Sequence, residues 1–86
     1  MVTTTELQIN RDIKVLVTAK GLAVHLVFVV SGQQPALDPI ELSRVEGIEV
    51  GRDIVKNGCS DRIPIAFEPG DARVFGQWLV NFCEQA

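Results

Sequence analysis

A chain of 86 residues has the size of one small domain, and it buries a smaller share of its surface than a longer chain would. With 47% hydrophobic and 22% charged residues it has the composition of a folded globular protein, not of a disordered tail or a fibrous repeat. The net charge is -3, and Arg11, Lys14, Lys20, Arg44, Arg52, Lys56, Arg62 and Arg73 are dispersed along the chain. That argues against nucleic acid, because phosphate binding draws its affinity from a concentrated basic face.

One domain spanning 1–86 is expected, with residues 1–5 flexible. In the first predicted strand, Ile13, Val15, Val17 and Ala19 alternate with Asp12, Lys14, Leu16 and Thr18, the period of two that marks a half-buried strand. Leu7 and Ile9 continue that parity backwards. After Lys20-Gly21 comes a second β-rich run, Leu22 to Val30, and the two read as a hairpin. A turn centred on Lys20-Gly21 would pair Ala19 with Leu22, Val17 with Val24, Val15 with Leu26 and Ile13 with Phe28, an all-apolar face. The second face would then carry Thr18 with Ala23, Leu16 with His25, Lys14 with Val27 and Asp12 with Val29, a mixture of apolar and polar groups.

Ser31 to Pro35 reads as a loop. Asp38-Pro39-Ile40-Glu41 has the form of a helix start, with a capping Asp, Pro at the first helical position and Glu three residues after the cap. Gly47 and Gly51 weaken its continuation, so a short helix near 39–46 competes with an irregular strand over 41–50. Asn57-Gly58 is a hairpin signal that would place Val50 opposite Ile65 and Ile48 opposite Phe67. Pro64 argues for an edge position there. From Pro69, the residues Ala72, Phe75, Trp78, Leu79, Phe82 and Cys83 fall on one helical arc, with Arg73, Gln77 and Glu84 opposite. The expected fold is α+β, with an antiparallel sheet of about four strands in two hairpins packed by this C-terminal amphipathic helix.

Chemistry-bearing residues are few. His25 is the sole histidine, and Cys59 and Cys83 are too far apart in sequence for the close ligand pairs that zinc favours, so no metal or cofactor is expected. A Cys59–His25–Asp61 thiol site can be drawn, but no spacing supports it. Cys59-Ser60-Asp61-Arg62 lacks the small residues of an oxyanion or phosphate loop. Trp78, Phe75 and Phe82 sit at helical spacing and read as core, not as a base-stacking platform. With two cysteines and no leader pattern, a cytoplasmic protein is expected. The run from Leu22 to Val30 is far short of the roughly 20 residues a membrane span needs.

Two surfaces remain as partner-interface candidates. One is the second hairpin face, with Leu16, His25, Val27 and Val29, where exposed apolar surface on a small protein would mark an interface. The other is the acidic stretch of Asp38, Glu41, Glu46, Glu49 and Asp53, which could dock on a basic surface or simply be a solvated face. The sequence therefore points to a non-enzymatic protein–protein interaction module, an adaptor, inhibitor or regulator of a larger protein, of the kind carried by phages and mobile elements. Its partner is a protein of unknown identity or a second copy of the chain. A nucleic-acid-binding regulator is the alternative.

Overall fold

In the computed structural model, residues 3–32 and 38–85 are described, so Gln33, Gln34 and Pro35 of the expected loop lie outside the described residues. The fold is α+β. Strands β1 (Thr3–Gln8), β2 (Ile13–Lys20), β3 (Ala23–Val30) and β4 (Ile40–Ser43) are followed by helices α1 (Arg44–Asn57) and α2 (Pro69–Gln85). The chain divides into two compact units, Met1–Leu42 and Ser43–Ala86, which are taken in turn.

The first unit is the antiparallel four-stranded sheet, in the order β1-β2-β3-β4. Thr3 to Thr5 pair with Ala19 to Val17 of β2. Leu7 and Ile9 do not prolong β2 backwards, because Asn10 turns the chain between them and Ile13. Its side-chain oxygen accepts the backbone N–H groups of Asp12 and Ile13 at 2.8 and 2.9 Å, an Asx-type turn. The β2–β3 hairpin is present, with Gly21 and Leu22 as its turn residues in place of Lys20-Gly21, so that Lys20 pairs with Ala23. Gly21 has φ 62, and among the described residues no non-glycine residue has positive φ. A two-residue turn with positive φ only at its first central position needs glycine there, whereas centring on Lys20 would have forced a lysine into that conformation. The pairing accordingly slides by two residues, Val17 meeting Leu26 and Val15 meeting Phe28. A slide of two preserves parity, and Val15, Val17, Val24, Leu26 and Phe28 form a fully buried face, as the alternation requires.

The second unit is a helical pair. The helix near 39–46 is corrected: Ile40 to Ser43 are strand, and α1 begins at Arg44. The capping box lies five residues later than the Asp38 signal. Ser43 is the cap, its hydroxyl accepting the Glu46 N–H at 3.2 Å while the Glu46 carboxylate accepts the Ser43 N–H. The second hairpin is absent too. Asn57 is the last residue of α1, and Gly58 at φ 77 caps it in the left-handed conformation, donating its N–H to Ile54 O at 2.8 Å. Residues 63–67 consequently form no strand with 48–50, although Ile63 and Phe67 are buried. β1 and β4 bring the sheet to four strands instead.

Helix α1 runs through Gly47 and Gly51 because those glycines face α2. A Cβ on Gly51 would stand 2.8 Å from Gly76 O and 2.7 Å from a Val80 methyl, and one on Gly76 would stand 2.6 Å from Gly51 O. The helices therefore meet backbone to backbone at this point, and the burial along the seam outweighs the low intrinsic helix propensity of glycine. Val50, Ile54, Ala72, Phe75, Leu79, Val80 and Cys83 fill the rest of the interior. Phe67 stacks on Phe75 with centroids 5.3 Å apart. Trp78 and Phe82, on the margin of the predicted arc, are half-buried and stack on each other at 5.0 Å.

Candidate functional site

Opposed residues of an antiparallel pair share a face, so the register defines the second face of the sheet outright. β1 contributes Thr4, Glu6 and Gln8, opposite Thr18, Leu16 and Lys14 of β2. β3 contributes His25, Val27 and Val29, opposite Thr18, Leu16 and Lys14. Leu16 thus meets Val27, not His25, and Lys14 meets Val29, not Val27. The two-residue slide brings the apolar side chains of this face together more closely than the expected register did.

Leu16, Val27 and Val29 are half-buried. Among the described residues, the large apolar side chains that stand most fully in solvent are elsewhere, Leu22 in the turn at 79% exposure and Val45 and Val74 on the helices at 67% and 62%. Polar contacts border the three. Thr4 and Thr18 hydroxyls lie 3.1 Å apart. Lys14 Nζ is 3.7 Å from Glu6 Oε1, and His25 Nε2 is 3.2 Å from Glu41 Oε2. Both contacts are largely solvated, and the Lys14–Glu6 ion pair is worth at most about 1 kcal/mol. They contribute arrangement more than energy, fixing a polar border around a small apolar centre, as in the rim and core of a protein interface.

The acidic stretch is divided between the two units. Asp38 and Glu41 belong to the first unit, Glu41 facing His25, while Glu46, Glu49 and Asp53 lie along α1 in the second. Two of the helical carboxylates have structural work. Glu46 completes the capping box and pairs with Arg62, and both contacts hold its carboxyl below the usual glutamate range. Asp53 accepts the Asn57 side-chain amide at 2.8 Å, one helical turn on. Glu49 is exposed. With Val50, Ser60, Asp61 and Arg62 these residues line an open groove of about 250 Å³.

Cys59 is exposed, its thiol donating to Asn57 O at 3.8 Å, and Cys83 is buried, which pushes its thiol pKa up. A buried protonated thiol is a poor nucleophile. Among the described residues no group of three His, Cys, Asp or Glu side chains is placed to hold a metal ion, and no helix is long and apolar enough to cross a membrane.

The sequence reading missed the contribution of β1 to this face. The signal was present in Asn10, whose turn-forming side chain separates Leu7 from Ile13. No family model, curated protein or solved structure matches the chain.

Proposed function

We propose that the protein is a non-enzymatic interaction module, an adaptor, inhibitor or regulator that binds another protein through the second face of its sheet. The observation that supports this is the cluster of Leu16, Val27 and Val29, half-buried within the border formed by Thr4–Thr18, Glu6–Lys14 and His25–Glu41. Branched side chains on a strand have few rotamers to lose on binding, and removing their remaining exposed surface from water favours association. The polar border supplies orientation. The acidic residues of α1 are not assigned to this surface, since Glu46 and Asp53 are held by their own helix and its neighbouring loop.

The test is affinity capture from the native host with the unaltered chain and with Val27→Glu, which sets a carboxylate beside Leu16. A specific protein retained by the first and lost by the second, with unchanged circular dichroism, is the expected result. Equal capture by both chains would refute the surface. Unfolding of Val27→Glu would place that face in the core, and Val29→Glu then repeats the comparison at the margin.

A further inference from the structure

The outward row of backbone groups on β1 can be read from the register. Ile9 N–H donates to Ile13 O at 2.9 Å, so the odd residues of β1 direct their peptide groups towards β2. Asp12 O accepts the Ser31 N–H at 2.7 Å, which sets the even residues of β2 towards β3 and agrees with that parity. In an antiparallel ladder the alternate residues point the other way. Thr4, Glu6 and Gln8 therefore aim their N–H and C=O groups outward from the sheet, and β1 is its terminal strand. Among the described residues no hydrogen bond reaches these outward groups.

Sheet edges of this kind are usually blunted by proline, a bulge or short length. β4, the opposite edge, is four residues long. β1 has six residues, Thr3–Gln8, with no proline and continuous pairing to β2. Its single charged residue is Glu6. We propose that β1 pairs antiparallel with β1 of a second copy about a two-fold axis at Thr5, joining two sheets into one of eight strands. The charge excludes one register. Centring on Glu6 would set two carboxylates opposite each other, whereas centring on Thr5 sets Glu6 opposite Thr4 of the second copy, with each of these residues exchanging both backbone bonds.

A second copy is the fitting occupant because a two-fold axis makes this row self-complementary, each Thr4 meeting a Glu6 in both directions. The edge of one short strand buries less than the roughly 1,200–2,000 Å² of a stable interface. The dimer is accordingly weak and concentration-dependent. This proposal does not rest on the second face as a docking surface.

Sedimentation equilibrium across a concentration series tests it. The unaltered chain is expected to dimerise. Thr4→Pro deletes an outward N–H while sparing the β1–β2 ladder, and should raise the dissociation constant roughly tenfold or more, because symmetry counts the loss twice. Thr4→Glu should weaken the dimer by opposing the other copy's Glu6, and Thr4→Lys should tighten it. These two keep the test decisive if Thr4→Pro fails to fold. A chain that is monomeric at every concentration overturns the proposal. So does a dimer indifferent to all three substitutions, or one abolished by Val27→Glu instead, which would locate self-association on the second face.

Discussion

Ser43 ends a strand and opens a helix, and the side chain of Glu46 serves both that cap and Arg62. Replacing Ser43 with Ala removes the cap and should cost about 1 kcal/mol, measurable by urea unfolding. The lowered pKa of Glu46 gives the cap a pH signature. A carboxyl whose pKa lies lower folded than unfolded contributes its stability in full above the unfolded value near 4.5, and the contribution is lost as pH falls through the folded value. Glu46→Gln should flatten that part of the acid limb of the stability curve. It should leave stability near pH 7 only slightly changed, since the pair is exposed and the amide can still accept the Ser43 N–H. A Glu46→Gln curve parallel to that of the unaltered chain below pH 4.5 would show that the pair contributes nothing.

At the scale of elements, the glycines carry the result. Alanine is favoured over glycine in a helix interior by about 1 kcal/mol, so propensity alone would make Gly51→Ala stabilising. The seam reverses the sign, because the new methyl would meet a carbonyl oxygen of the facing helix at 2.8 Å and overpacking typically costs about 1–3 kcal/mol. Gly51→Ala should therefore lower the melting temperature. Gly70→Ala, with nothing within 4 Å of the added atom, should leave it unchanged or raise it. Equal shifts in the two variants would mean that the helices do not approach so closely. The same seam explains what the sequence concealed. The hairpin of β2 and β3 and the helix from Pro69 are legible because Ile13 to Ala19 alternate, Leu22 to Val30 are β-rich, and Ala72 to Cys83 fall on a helical arc. α1 is not, because the residues that justify it are those that weaken it when read locally. Asn57-Gly58 misleads for a related reason, since a hairpin turn and a helix C-cap both need positive φ. In the candidate site, Leu16, Val27 and Val29 follow from strand parity alone, whereas Thr4 and Glu6 need the turn at Asn10 to be recognised first.

For the molecule as a whole, a net charge of -3 and dispersed basic residues leave no obvious phosphate-binding footprint. Random-sequence DNA at low salt should not bind measurably in a fluorescence anisotropy titration. Strong binding that weakens steeply with added salt would instead favour the nucleic-acid reading over the protein-binding one. The face proposed for protein binding also has a particular kind of permanence. Which side chains it displays is stored as a parity, odd or even, relative to the Gly21-Leu22 turn. Sliding β3 along β2 by two residues leaves every side chain on its side, as the difference from the expected register already illustrates. Sliding it by one exchanges His25, Val27 and Val29 for Val24, Leu26 and Phe28. Such a surface tolerates wholesale displacement in even steps, and a single odd step would turn it inside out.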